Sequence, residues 1–402
     1  MTVQSIKDLI NEKMLSSKCD KEYYETNRIV LDSVIKLTTD DQKKLFDWFN
    51  EMTLTASYGY IHKLKGNFYD MEYAGLEKNL SLANDCYILA YQNGDVLGLA
   101  NMATICQNKK EYKQSFELYE KCIQNYSCPT SQYQQATLYF RGLGVDKDVD
   151  ACIKLLHINI NNPLSIKKTI GYTMHYLGYV YNTQHKYTDA LTWYQNALQY
   201  EHYESYNNIA RIYSLNKLVN NESNFIVALS YYEKYLSYLV DNNMSTTICL
   251  YSIYELYKKN KQYEKAMEWL LKGEALGCNM AIHSIGFAYD FGYGVPQSTE
   301  KAIMYYNRSG SVESYWNIGL IYHERYAEIG FTKPNYTMAL KMFQRAYVMY
   351  KEENQIDNME LCALKIKKIL TENYLQYVEQ IINIPVDDKK IIEDFEIVEV
   401  VE

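Results

Sequence analysis

Nowhere in these 402 residues do 18 consecutive apolar residues occur, so nothing in the chain is written to cross a membrane as a helix. The opening segment, Met1-Thr-Val-Gln-Ser-Ile-Lys-Asp-Leu-Ile10, lacks an apolar run long enough for a secretory signal. Positive charge is not concentrated anywhere. Lysines are scattered and the net charge is −8, which argues against a nucleic-acid backbone as the main ligand. The seven histidines (His62, His157, His175, His185, His202, His283, His323) form no His-Glu-x-x-His, and there is no Cys-x-x-Cys, so no metal site is written locally. A Gly-x-Ser-x-Gly elbow and a phosphate-binding Gly-Lys-Ser/Thr are also missing. Gly142-x-Gly144 and Gly292-x-Gly294 lack the preceding strand and the third glycine of a nucleotide fold. These absences lead to the expectation of a soluble intracellular protein that is not an enzyme, with no cofactor, metal, small-molecule substrate, nucleic acid or membrane as partner.

Two further features are weak on inspection. Asp146-Lys-Asp148-Val-Asp150 imitates the start of a calcium loop, but its sixth residue is Ala151 and its twelfth His157, where glycine and glutamate are required. A loop followed by a helix cap explains the acids better. Six Asn-x-Ser/Thr sequons occur in an Asn-rich chain, and without a secretory signal they read as unused. Nine cysteines, an odd number without recurring spacing, read as buried free thiols.

What the sequence has is a period. A small residue recurs at Ala83, Ser115, Cys152, Ala190, Ala228, Ala266, Ala302 and Ala339, at intervals of 32 to 38 residues. Four positions later stands a ring or leucine: Tyr87, Tyr119, Leu156, Tyr194, Tyr232, Leu270, Tyr306 and Phe343. Upstream of each lies a second pair three apart: Gly59/His62, Ala103/Cys106, Ala136/Tyr139, Gly178/Tyr181, Ala210/Tyr213, Tyr254/Tyr257, Gly286/Tyr289 and Gly319/Tyr322. Residues three or four apart share a helix face, so each unit is two antiparallel helices, A then B. Small residues let the backbones approach while rings fill the space beside them. The 43 tyrosines suit such packing, although an AT-rich coding sequence would also produce many of them. A period in this range predicts an all-α solenoid, and a solenoid presents a binding surface before it presents a catalyst.

The loops sort the units. Gly142-Leu-Gly144-Val145 with Asp148 and Cys152, and Gly292-Tyr-Gly294-Val295 with Lys301-Ala302, resemble Sel-one-like repeats. Units with 12 residues between their small residues, such as Leu177-Gly178…Tyr181 followed by Tyr187-Thr-Asp-Ala190…Tyr194…Ala197, resemble tetratricopeptide repeats. The resemblance covers roughly residues 54–350. It implies a right-handed superhelical solenoid of about eight helix pairs, with A helices on the concave side, in a family of adaptors, assembly scaffolds and degradation cofactors. A secreted branch staples each pair with a disulfide, and the recurring cysteine pair of that branch is missing here.

Residues 1–53 read as three helical stretches forming an N-terminal cap or a small interaction region. Residues 351–384 read as a C-terminal capping helix, amphipathic over Ile356–Ile382 with Leu361, Leu364, Ile369, Leu370, Leu375, Val378 and Ile382 apolar, and 385–402 as an acidic-hydrophobic tail. Ile391-Ile-Glu-Asp-Phe-Glu-Ile-Val-Glu-Val-Val-Glu402 alternates apolar and acidic residues. Such a segment can add to a sheet edge, or it can be a disordered or self-packed tail.

By the same geometry, residues three before, one after and four after each A-helix small residue face the groove. In units four to seven these include His175, Tyr179 and Asn182; Asn207 and Arg211; Tyr251, Glu255 and Lys258; His283 and Phe287. Rings beside Asn, Arg and His are what an extended peptide needs. Phe287, Trp316 and Leu320 are equally suited to packing between neighbouring A helices. The expected function is a non-catalytic scaffold or adaptor that binds a peptide or partner protein. The alternatives are a substrate adaptor of a ubiquitin ligase and a hydrolase of the secreted, disulfide-dependent kind.

Overall fold

The computed structural model describes residues 1–14, 20–55, 58–215, 221–330 and 332–372. Among them are twenty α-helices, two short 3-10 turns and no strand. The chain divides into two compact units, residues 1–219 and 220–402. Each is an array of helix pairs, so the all-α repeat architecture expected from the period is the observed one.

The first unit opens with α1 (Val3–Lys13), α2 (Lys21–Ile35) and α3 (Thr39–Thr55). Four pairs follow: α4 (Gly59–Asp70) with α5 (Leu80–Gln92), α6 (Val96–Asn108) with α7 (Tyr112–Tyr126), α8 (Pro129–Arg141) with α9 (Val149–Ile160), and α10 (Lys167–Thr183) with α11 (Tyr187–Gln199). Helix α12 (Ser205–Ser214) ends this unit. The second unit contains α13 (Asn221–Asp241), then α14 (Thr247–Lys259) with α15 (Tyr263–Ala275), α16 (Asn279–Phe291) with α17 (Thr299–Ser309), and α18 (Val312–Glu324) with α19 (Tyr336–Glu352). It closes on α20 (Ile356–Glu372). The fifth pair of the sequence is thus shared out, α12 to one unit and α13 to the other.

The recurrent ring is the reason for the recurrent small residue. A Cβ on Gly178 would stand 2.8 Å from the Tyr194 ring, one on Gly286 2.8 Å from Tyr306, and one on Gly319 2.9 Å from Phe343. Tyr194, Tyr306 and Phe343 are completely buried, and each such ring contributes on the order of 2 kcal/mol by leaving water. The first pair obeys the same rule with a corrected register. Gly66, not Gly59, meets the ring of Tyr87, and Tyr69 supplies the residue three later. Gly59 stands two turns earlier, where it lets the start of α4 approach the backbone at Ala90 and Asn93.

The long loops are built around two glycines with different tasks. Gly142 and Gly292 end α8 and α16 in the left-handed region, at φ 66° and 72°. Gly144 and Gly294, at φ 74° and 73°, lie against the first residue of the preceding B helix. A Cβ there would be 2.4 Å from backbone atoms of Tyr112 or Tyr263. Asp148 then accepts from the Ala151 N–H at 2.8 Å and Ser298 from the Lys301 N–H at 3.3 Å, so both cap the helix that follows. Capping is where the structure places the central acid of the calcium-like run.

Helices α1–α3 share one buried core with α4 and α6, joining Ile10, Val34 and Phe49 to Ile61, Phe68 and Leu99. Helix α2 also runs past the first turns of the A helices. The Tyr23 hydroxyl donates to Asp95 Oδ2 at 2.7 Å at the cap of α6. Lys63 Nζ of α4 donates to Asn27 Oδ1, and Lys168 Nζ of α10 lies 3.9 Å from Asp32 Oδ2. At the other end, Cys362, Ile366 and Ile369 of α20 are buried against Phe343, Ala346 and their neighbours, whereas Leu361 and Leu364, at 51% and 63% exposure, turn outward. Of the apolar stripe read from the sequence, Ile369 is therefore buried and Leu370 packs beside it, while Leu361 and Leu364 miss the contact. Leu375, Val378, Ile382 and the tail lie outside the described residues.

Candidate functional site

The ten groove positions named from the sequence separate into two sets by unit. In the first unit they are His175, Tyr179 and Asn182 on α10 with Asn207 and Arg211 on α12; in the second, Tyr251, Glu255 and Lys258 on α14 with His283 and Phe287 on α16.

The position three before the small residue lies behind the surface where it is histidine. His175 Nδ1 is 2.9 Å from Ser205 Oγ on the next A helix, and its ring packs 5.2 Å from that of Tyr194. Asn208 Nδ2 approaches Nε2 at 3.3 Å, an arrangement that makes Nε2 the acceptor and leaves the proton on Nδ1. His283 repeats this in the next-to-last pair of its own unit: Nδ1 is 2.8 Å from Ser314 Oγ and the ring 5.3 Å from Tyr306. Burial lowers both imidazole pKa values, that of His175 to about 3, with the neighbouring His202 as second cause there. Both rings are neutral at pH 7 and brace one pair against the next.

The position one after the small residue is the more open one. Tyr179 and Arg211 are exposed, whereas Glu255 and Phe287 are half-buried. The position four after varies. Asn182 and Lys258 are half-buried, but Asp290 and His323 are interior, at 2% and 6% exposure. Asp290 accepts from the Tyr306 hydroxyl at 3.1 Å and from Arg325 Nη2 at 2.7 Å, so here the position is occupied by a buried ion pair.

Two aromatic groups result. On the first unit, Tyr179 stands 5.7 Å from Phe140 and 5.7 Å from Tyr176, and Tyr176 stands 5.5 Å from Tyr133. Arg141 ends the same helix as Phe140, Arg211 lies on the next A helix, and both are exposed. On the second unit, Lys258 Nζ pairs with Glu255 at 3.0 Å and sits 5.8 Å from the centre of the Phe287 ring. Phe287 lies 4.5 Å from Phe291 with the rings tilted 41° apart, and Tyr293 lies 6.0 Å away. Tyr251 packs 5.4 Å from Tyr254, and burial raises its hydroxyl pKa to about 12. Trp316 and Leu320 pack on the last pair, Trp316 with its ring 5.1 Å from Phe343.

Tyr133, Phe140, Tyr176, Phe291 and Tyr293 were not among the expected site residues. Tyr133 and Phe140 occupy the minus-three and plus-four positions of the third pair, so the positional rule would have found them had it been applied one pair earlier. Over the first pair the surface is already occupied. Lys63, at the minus-three position of α4 and 1% exposed, is held by Asn27, with Nζ 3.9 Å from the Tyr60 ring centre.

Among the described residues no group of three or more His, Cys, Asp or Glu side chains could hold a metal ion. The eight described cysteines are free, and all but Cys86 are buried. No helix of the described residues is long and apolar enough to cross a membrane.

Stacked antiparallel pairs with small residues facing rings define a helical-repeat protein. The Sel1 repeat model matches residues 66–95, 129–158, 250–278, 279–311 and 312–347, and a tetratricopeptide repeat model matches 171–200, so the chain carries Sel1 repeats at five positions and a tetratricopeptide repeat at one. Among solved structures, the chain is similar to c5321, a protective antigen of uropathogenic Escherichia coli displaying an SLR fold. The identity is 17% over 94% of this chain and 83% of that one, with a TM-score of 0.52. A Sel1 repeat protein from Oxalobacter formigenes is matched at 17% identity over 62% and 96% of the two chains, with a TM-score of 0.43. The human IFIT1 dimer with m7Gppp-AAAA is matched at 14% over 92% and 84%, with a TM-score of 0.48. These likenesses concern the fold alone. A comparison with curated protein sequences gives no match.

Proposed function

We propose that the chain is a non-catalytic scaffold that holds an extended segment of a partner protein on the A-helix face of its first unit. The reading is carried by one observation: Tyr179 and Arg211, at the same repeat position on successive A helices, are both exposed. A ring and a guanidinium in such register can engage successive parts of one chain. His175 and Ser205 act behind them, fixing α10 against α12. The fold supports the reading, since repeat arrays present continuous surfaces made from many units. The described free thiols suit a reducing, intracellular compartment.

The test is affinity purification with the full chain as bait, beside the double substitution Asn207→Ala/Arg211→Ala. Partners retained in stoichiometric amount by the wild type are expected to be lost from the variant while its helical circular dichroism is unchanged. An identical partner set on both baits would remove this face from consideration.

A further inference from the structure

Of the four rings grouped around Tyr176, Phe140, Tyr176 and Tyr179 form a tight set, with Phe140 and Tyr176 centred 6.0 Å apart. Two arginines flank them, Arg141 at the last turn of α8 and Arg211 on α12. Of the chain's four other arginines, three are in ion pairs, and Arg345 lies 5.5 Å from the Tyr315 ring centre. Arg28 meets Asp32 at 2.9 Å, Arg308 meets Glu274 at 2.6 Å, and Arg325 meets Asp290 at 2.7 Å. Among the described residues Arg141 and Arg211 meet no carboxylate. The carboxylate nearest in sequence to Phe140 that belongs to a helix terminus, Asp148, is spent on the cap of α9. Lys147 adds its Nζ 5.6 Å from the centre of the Phe140 ring.

An exposed guanidinium without a carboxylate is a bidentate anion site in waiting, and half-buried rings offer faces and edges to apolar side chains. In an extended chain, alternate residues point to one side about 6.6 Å apart, close to the spacing of these rings. We infer that this face takes an acidic segment with alternating apolar residues, its apolar side chains on Phe140, Tyr176 and Tyr179 and its carboxylates on Arg141 and Arg211. The inference rests on the scaffold reading above and gives the partner a chemistry. A single-stranded nucleic acid would also bring stacking faces and anions. It is disfavoured because two guanidiniums and one lysine on a chain of net charge −8 do not make the continuous basic track that a phosphate backbone requires.

The experiment is fluorescence anisotropy with the full chain and three labelled probes: a 12-residue synthetic peptide alternating Glu with Phe or Ile, the same peptide with Lys for Glu, and a 12-nucleotide oligouridine. The acidic peptide is expected to bind at 50 mM salt and to weaken at least tenfold on Arg141→Gln/Arg211→Gln. Tyr179→Ala should weaken it several-fold, and the lysine peptide and the RNA should not bind. Binding of the acidic peptide that ignores the double substitution overturns the inference, as does tighter binding of the RNA. Both arginines are exposed, so the variant's thermal midpoint serves as a folding control. Should the acidic peptide fail while affinity-purified partners still depend on Arg211, the partner chemistry falls and the scaffold stands. Should both fail, the scaffold reading falls with it.

Discussion

The imidazoles of His175 and His202 stack with centroids 4.3 Å apart and planes 28° from parallel. Tyr172 closes one side at 4.6 Å from His202, and Glu204 lies 3.4 Å from His202 Nδ1. Burial lowers the pKa of both rings, His175 to about 3 from an ordinary 6.5, with the Glu204 carboxylate opposing the shift at His202. A stacked pair cannot take up two protons without like charges in contact.

Stability should follow pH accordingly. Between the folded and unfolded pKa values the unfolded chain binds more protons, so the stacked rings are fully compatible with the fold above about pH 6.5. Stability is then lost as pH falls through 6.5 toward 3. A loss on the order of 1 kcal/mol from His175 alone is expected by pH 5.5. Urea midpoints at pH 7.5 and 5.5 would show it, and His175→Gln should shrink the difference without abolishing it, since burial also lowers His62 and His283. An unchanged pH difference in His175→Gln would refute this account.

Gly294 and Gly277 allow backbone strain to be separated from contact. Both lie at positive φ, 73° and 72°, but a Cβ on Gly277 meets nothing within 4 Å, while one on Gly294 meets the Tyr263 carbonyl oxygen at 2.4 Å. Gly277→Ala should cost only the left-handed conformation, roughly 1 kcal/mol. Gly294→Ala should cost about 2 kcal/mol more, because backbone, unlike a side-chain tip, does not swing aside. Chemical denaturation of the two full-length variants tests this, and equal losses would mean that the loop slides freely past α15.

Arg325 is tied to Asp290, to Glu328 at 2.5 Å and, through Glu328, to Thr299 at 2.9 Å. Asp290 is 2% exposed, so Arg325→Met strands a buried carboxylate and should cost about 3 kcal/mol. Asp290→Asn/Arg325→Met removes the charge as well and keeps an acceptor for the Tyr306 hydroxyl, so it should recover more than half of that. A double variant no better than Arg325→Met alone would show that the pair is not coupled.

The architecture was legible because the period repeats eight times, and one ring against one small residue is a local rule. Its error in the first pair has a physical cause. Gly59 and Gly66 are seven apart, two turns on one face, and only packing shows which one meets Tyr87. The site was harder. Spacing places His175 and His283 on the A-helix face, but whether a ring looks outward or turns toward the next helix depends on a serine 30 or 31 residues later, Ser205 or Ser314. Asp290 similarly reads as a groove acid until Arg325, 35 residues on, is brought beside it. Helix α20 was legible in part: Ile369 and Leu370 of the expected stripe make the contact, but Leu361 and Leu364 point outward and Cys362 and Ile366 complete it.

An ordinary repeat array holds each unit only by its neighbours, so its ends can fray while its middle persists. Helix α2 changes that for the first unit. By touching Lys63, Asp95 and Lys168 it links helix starts more than 100 residues apart in the chain. These contacts close long loops, and each is lost when the pair it reaches opens. The first unit should therefore unfold as one cooperative block, its first and fourth pairs exchanging amide protons at similar rates. The last pair of the second unit, which has no such crossing helix among the described residues, is free to exchange ahead of its neighbours.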